Sequence, residues 1–245
     1  MLITETPAII LAGGRGTRLQ SVVSDRPKVL ADVAGRPYLA LVLDRLQRLG
    51  VPLAVLSTGY MAGAVEEAIG SSHAGMPVRY AREDSPLGTG GGAALAASLV
   101  SAPWYLVLNG DSWCETDLAR FVAAVPEDCD AGMLLTRVPD VSRYGAVQVG
   151  PGSRIESFRE KGAGPDSKAG LDRAGLINAG VYLLSRRCLD GMGGAAPRSL
   201  ERDVFPFLAV QGRIYGHMVE APFIDIGTPE SYARVLPFFK EAQNR

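Results

Sequence analysis

The chain has 245 residues, 47% hydrophobic, 21% charged and 7% aromatic, a balance that suits a globular enzyme and excludes a disordered, collagen-like or coiled-coil chain. Its 25 basic and 26 acidic side chains leave a formal charge of −1, which argues against nucleic-acid binding and confines any phosphate handling to local clusters. Three scattered cysteines (Cys114, Cys129, Cys188) and two histidines give neither a disulfide framework nor a zinc spacing, so reduced thiols and a cytoplasmic setting are expected.

Met1 to Pro7 carries Glu5 but no Lys or Arg, unlike a signal peptide. Ala8–Leu11 is a short apolar run entering Gly13-Gly14, the pattern of a buried strand feeding a loop. Pro37 to Leu49 places Leu39, Val42, Leu43 and Leu46 at helical spacing and ends at Gly50. Leu53–Leu56 reads as a strand, Met61–Ile69 as a helix and Val78–Tyr80 as a strand. Ser85–Gly110 has no charged residue, but Gly88, Gly90, Gly91, Gly92 and Pro103 divide it into a loop, a helix from Ala93 to Val100 and a strand from Trp104 to Leu108. That division excludes a membrane span. Asp117–Val125 reads as a helix and Gly132–Val138 as a strand.

After Tyr144 the rhythm changes. Gly145–Val149 and Ile155–Phe158 read as shorter strands about a Pro151-Gly152 turn, Gly162–Ala174 as a surface loop and Ile177–Leu184 as a strand. Thr228-Pro229-Glu230 is a helix start with Thr as N-cap and Pro at the first helical position. The βαβα alternation predicts an α/β fold with a largely parallel sheet covered on both faces. A single domain over 1–245 is expected, with the second half adding a substrate lobe.

The densest chemical signal is Leu11-Ala12-Gly13-Gly14-Arg15-Gly16-Thr17-Arg18-Leu19. A Gly-rich loop leaving a buried strand lets backbone N–H groups approach phosphate oxygens. Arg15, Arg18, Arg26 and Lys28 face only Asp25 between Gly13 and Lys28, a local cationic cluster in a neutral chain. It is neither a dinucleotide fingerprint, because Leu19 stands where the third Gly belongs, nor a P-loop, because no Gly-Lys pair occurs. Asp111 ends an apolar strand, where open α/β sheets place ligands, and Asp225 lies among apolar neighbours, where an unpaired carboxylate is costly.

GGRGTRL followed by PKVLADVAGRP resembles the signature of the sugar-phosphate nucleotidyltransferases, the nucleoside-diphosphate-sugar pyrophosphorylases. The resemblance continues, in the family's order, through Ser85–Gly91, Asn109-Gly110-Asp111, Arg143-Tyr144-Gly145, Glu160-Lys161, Ile177–Gly180 and Phe223–Pro229. Within the family, Ser21–Lys28 and Ser199–Asp203 most resemble D-glycero-D-manno-heptose 1-phosphate guanylyltransferases.

The resemblance implies a Rossmann-like three-layer αβα fold with a mostly parallel mixed sheet, a nucleotide-binding half over about 1–140 and a sugar-phosphate half over about 141–245. It implies condensation of a nucleoside triphosphate with a sugar 1-phosphate, most simply GTP with the heptose phosphate, with release of pyrophosphate. Leu11, Ala12, Gly13, Gly14, Gly16, Thr17, Arg18, Thr58, Gly59, Leu87, Gly88 and Thr89 would contact the nucleotide. Asn109, Tyr144, Gly145, Glu160, Lys161, Asn178 and Gly180 would contact the sugar phosphate. Arg15, Lys28, Asp111 and Asp225 would carry catalysis, the two aspartates also holding Mg²⁺.

A monomer or small homo-oligomer without nucleic-acid or membrane partners is expected. The alternatives are thymidylyl, cytidylyl or guanylyl transfer to a hexose 1-phosphate, a glycosyltransferase using Asp128-Cys129-Asp130 as its metal motif, and a non-catalytic nucleotide-sugar sensor.

Overall fold

The computed structural model describes residues 1–141, 144, 146–159, 174–194 and 196–243. Strand β1 (Ala8–Leu11) leads through the Gly-rich segment and a short β2 (Asp32–Val33) and β3 (Arg36–Pro37) hairpin into helix α1 (Tyr38–Arg48). Next come β4 (Ala54–Thr58), α2 (Ala62–Ile69), β5 (Ser72–His73), β6 (Met76–Arg82), α3 (Gly88–Ser98), β7 (Trp104–Asn109), β8 (Ser112–Cys114), α4 (Leu118–Ala124) and β9 (Ala131–Val138). The second half supplies β10 (Ala146–Val149), β11 (Ile155–Arg159), β12 (Gly175–Ser185), α5 (Arg186–Asp190), α6 (Phe205–Val210), β13 (Ile214–Val219), β14 (Phe223–Asp225), α7 (Pro229–Ala233) and α8 (Val235–Gln243).

Strand order is β11-β10-β12-β7-β1-β4-β6-β5, with β9 paired to both β12 and β13. The strands β7, β1, β4 and β6 are mutually parallel, whereas β12 runs antiparallel to β7 and β9. Chain order departs from β1 in both directions, to β4 on one side and later to β7 on the other, which opens a crevice at their carboxyl ends. Alternate side chains fall into two apolar clusters. Ala8, Ile10, Leu106, Leu108, Val181 and Leu183 join the α1 face Leu39, Val42, Leu43 and Leu46. Ile9, Val55, Tyr105, Val107, Tyr182 and Leu184 join Ala93, Ala96 and Ala97 of α3. A period of two across strands buried on both faces gives the three-layer α/β arrangement expected. Each cluster combines residues from before 140 and after 175.

The uncharged stretch Ser85–Gly110 resolves into α3 and β7, and no helix among the described residues is long and apolar enough to cross a membrane. Helix α3 starts at Gly88 rather than Ala93. Its glycines do not break it, because the Gly90 and Gly91 N–H groups are capped by the Arg198 carbonyl at 2.8 and 3.3 Å. The predicted loop 162–174 falls outside the described residues except for Ala174. Periodicity gave no sign of β13, α5 or the helical segment from Leu200 into α6.

At the start of α7, Thr228 Oγ1 accepts from the Ser231 N–H at 3.3 Å while Ser231 Oγ accepts from the Thr228 N–H at 3.1 Å, a reciprocal cap. Thr228→Ala is expected to cost about 0.5–2 kcal/mol, read as a lower urea midpoint at unchanged slope.

Candidate active site

Parallel pairing places Leu11 beside Ser57 on one side and Asn109 on the other, so the ends of β1, β4 and β7 form one rim. Above that rim lies a cavity of about 310 Å³ whose walls include Leu11, Ala12, Gly13 and Gly14, then Lys28, Gly88, Thr89, Asn109 and Asp111. A second cavity of about 340 Å³ shares Thr89, Asn109 and Asp111 with the first and continues to Arg18, Tyr144, Asn178, Gly180, Glu201 and Asp225. The motifs read from sequence therefore converge on two compartments with a common wall.

Lys28 opens a single helical turn after Pro27, and its ammonium donates to Asp111 Oδ2. Gly16 has φ +60°, and a Cβ there would lie 2.9 Å from Lys28 Cβ. Glycine at that position lets the loop adopt a left-handed conformation and press on the lysine stem. The Lys28 and Asp111 side chains are 16% and 26% exposed, so neither charge is fully solvated. Burial pushes the Asp111 carboxyl up, but the charge and hydrogen bond of Lys28, helped by the Ser112 hydroxyl at 3.0 Å, hold it below the usual carboxylate range.

Asp225 is brought to Asp111 by the backbone. Strand β14 pairs antiparallel with β8, setting Asp225 opposite Ser112, and the Ile226 N–H donates to the Asp111 carbonyl at 2.9 Å. Asp225 Oδ1 accepts from the Gly227 N–H at 2.7 Å and the Ser231 hydroxyl at 3.2 Å, and Oδ2 accepts from the Tyr144 hydroxyl at 3.2 Å. Among the described residues no group of three or more His, Cys, Asp or Glu side chains forms a metal cage. Two hard carboxylates lining one compartment suit Mg²⁺, which keeps several waters and needs only one or two carboxylates from the protein. The donor set fits that ion.

The segment before α3 is clamped from both sides. Glu83 Oε2 accepts from the Leu87 N–H at 2.9 Å, and Glu83 Oε1 accepts from the Ser57 hydroxyl at 2.8 Å. The Arg198 N–H donates to the Leu87 carbonyl at 2.8 Å. The Leu87 N–H is thus spent within the protein, and Leu87 lines neither compartment; Gly88 and Thr89 do. Gly88 has φ +75°, and a Cβ would stand 2.4 Å from the Arg198 carbonyl oxygen. Gly88→Ala is expected to cost about 1–3 kcal/mol in backbone strain, measured by thermal melting.

Several expected contacts are arranged otherwise. Arg15, Gly16, Thr17, Thr58 and Gly59 line neither cavity. Arg15 and Thr17 are exposed, Gly16 supports Lys28, and Gly59 packs on Gly13. Gly145, Glu160 and Lys161 lie outside the described residues. Ser57, Glu83 and Glu201 line the compartments although no role in the site was expected of them. Asp128-Cys129-Asp130 lines neither compartment. Asp128 pairs with Arg154 at 2.7 Å, and the buried Asp130 with Arg187 and Arg213, so the triplet is a structural ion-pair cluster rather than a glycosyltransferase metal motif.

Residues 7–242 match the family model described as nucleotidyl transferase. The chain is 33% identical over 238 residues to the mannose-1-phosphate guanylyltransferase of Mycobacterium tuberculosis, a match covering 96% of this chain and 64% of that protein. It is also 33% identical over 228 residues to the D-glycero-alpha-D-manno-heptose 1-phosphate guanylyltransferase of Aneurinibacillus thermoaerophilus, covering 93% of this chain and 95% of the relative. Among solved structures, HddC from Yersinia pseudotuberculosis complexed with GMP-PN superposes with a TM-score of 0.81 at 33% identity, covering 96% of this chain and 99% of that one. With a convergent two-compartment site, a matching fold and a family model spanning nearly its whole length, the chain belongs to the nucleotidyl transferase family.

Proposed function

We propose that this chain condenses GTP with D-glycero-α-D-manno-heptose 1-phosphate to give GDP-heptose and pyrophosphate. The observation that carries this reading is the pair of compartments sharing Thr89, Asn109 and Asp111, with Lys28 and Asp111 at their junction. The nucleoside triphosphate occupies the Leu11–Gly14 compartment and the sugar 1-phosphate the Asn178–Asp225 compartment. The family resemblance assigns Gly145, Glu160 and Lys161, which lie outside the described residues, to the sugar phosphate.

An oxygen of the sugar phosphate attacks the α-phosphorus, one new P–O bond forms, and the bond to the β-phosphate oxygen breaks in line. The nucleophile is already anionic, so no general base is required, and catalysis consists of alignment and charge stabilisation. Lys28 holds the α-phosphate region, Arg18 approaches from the rim, and the loop amides of Gly13 and Gly14 receive phosphate oxygens. Asp111 and Asp225 would hold Mg²⁺, which would supply neutralisation of phosphate charge at the reacting centre. A cytoplasmic monomer or small homo-oligomer, one domain with two substrate halves, is the setting that fits this chemistry.

The test is pyrophosphate release with Mg²⁺, crossing GTP, ATP, CTP, UTP and dTTP with heptose, mannose and glucose 1-phosphates. The expected result is release only with GTP and the heptose phosphate. The equal 33% identity to a mannose-1-phosphate guanylyltransferase supports mannose 1-phosphate as the second reading, and mannose as the better acceptor would establish it. Silence across the panel from folded protein would overturn nucleotidyl transfer to these sugars.

A further inference from the structure

Glu201 stands apart from the phosphate-handling residues. It lies in the Leu200–Val204 segment and lines the second compartment. Its Oε2 accepts from the Thr89 hydroxyl at 2.7 Å and the Ser199 hydroxyl at 2.9 Å, while its Oε1 accepts from the Tyr182 hydroxyl at 3.3 Å.

Each of those hydroxyls already accepts a hydrogen bond from nitrogen. Thr89 Oγ1 accepts from the Leu200 N–H at 2.8 Å, Ser199 Oγ from the Arg202 N–H at 3.2 Å, and Tyr182 from Asn178 Nδ2 at 2.7 Å. All three therefore direct their protons at one carboxylate, and the polarity of the network is fixed from nitrogen through hydroxyl to Glu201. Burial, with the Glu201 charge beside it, also raises the Tyr182 phenol well above its ordinary value, which keeps it a donor.

A carboxylate offers about four acceptor positions, and the three bonds above leave capacity on Oε1, whose one bond is long. The species it faces must bring donors and no negative charge, because a phosphate against Glu201 would be repelled. Arg18, Asp111 and Asp225 line the same compartment, and in the proposed reaction they take its phosphate end. The geometry points to Glu201 as the acceptor that reads a sugar hydroxyl and sets sugar specificity, with Thr89, Ser199 and Tyr182 as positioning residues that hold it. This rests on the second compartment being the sugar-phosphate subsite.

The test compares wild type with Glu201→Gln, which keeps the shape but turns one acceptor into a donor. Binding of mannose 1-phosphate, heptose 1-phosphate and GTP is measured separately by titration calorimetry, and turnover by pyrophosphate release. A charge-assisted hydrogen bond to one hydroxyl predicts a sugar-phosphate Kd and KM raised about 10- to 100-fold, with those for GTP unchanged. In wild type one member of a 2-, 3-, 4- and 6-deoxy mannose 1-phosphate series should bind correspondingly weakly. Glu201→Gln should lose nothing further with that analogue, a comparison that alters the ligand rather than the fold.

Equal losses for GTP and sugar phosphate, unchanged sugar-phosphate binding, or a deoxy series without an outlier would overturn the inference. Wild type that binds both substrates without releasing pyrophosphate would sink the proposed reaction, while the calorimetry still decides Glu201. Wild type that binds neither sugar phosphate would overturn both.

Discussion

Replacing Lys28 with alanine is expected to lower kcat by about 100- to 1,000-fold, the loss seen when one preorganised charge-stabilising contact is removed from an acyl-transfer site. The lysine stem runs beneath Gly16, and its head meets Asp111 where the two compartments join. In the proposed reaction the new bond forms at that junction, between two anions that repel one another. A cation fixed there acts most strongly on charge that grows in the transition state, so the effect belongs in kcat more than in KM. Lys28→Arg should restore little, because a planar fork does not replace a compact ammonium wedged against a glycine backbone. The check is pyrophosphate release at saturating substrate beside a thermal melt. A Lys28→Ala enzyme with near-normal kcat would remove this residue from the reacting centre.

Sequence alone made β1, β4 and β7 legible because they are short, mostly apolar runs followed by glycine or ending in asparagine. Both features follow from a strand buried on two faces that ends at a ligand edge. Helix α1 was legible for a related reason: Leu39, Val42, Leu43 and Leu46 all enter one buried cluster. Strand β13 was not. Its sequence Ile-Tyr-Gly-His-Met-Val mixes buried and exposed positions at the sheet edge, and its pairing with β9 joins residues far apart in sequence. Glycine propensity alone points to a start of α3 at Ala93, because the Arg198 carbonyl that caps the first turn lies far away in sequence.

The site divides along the same line. Lys28, Asp111 and Asp225 were legible because each sits in a compact motif beside a strand or turn end. Glu83 and Glu201 were not, because an isolated acid in a loop looks like surface charge until its partners are known. The Thr89–Glu201 bond spans 112 positions. Arg15 and Arg18 have the same chemistry in the same loop, yet only Arg18 borders a compartment. Residue type points to phosphate binding there, but the loop's path decides which arginine reaches a compartment.

Asp225→Asn and Asp111→Asn are each expected to lower kcat by at least about 1,000-fold, since a divalent ion contributes several kcal/mol of charge stabilisation at a phosphoryl centre and about 1.4 kcal/mol is tenfold in rate. Asp225 receives donors at both oxygens, from Gly227 and Ser231 at one and Tyr144 at the other. An asparagine must turn its NH₂ toward one of these donors, so the change loses both the charge and the orientation of the group. Asp111→Asn also releases Lys28 from its ion pair. If both carboxylates hold one ion, as proposed, the double variant should be little worse than either single one, as for groups that work as a unit. The Mg²⁺ concentration for half-maximal rate should rise in each single variant, with a cooperative thermal melt showing that the fold is retained. Multiplying losses with an unmoved Mg²⁺ curve would mean the two aspartates act separately and hold no common metal. In that case Asp111 would be a partner that orients Lys28, and Asp225 a brace for Tyr144 and the start of α7.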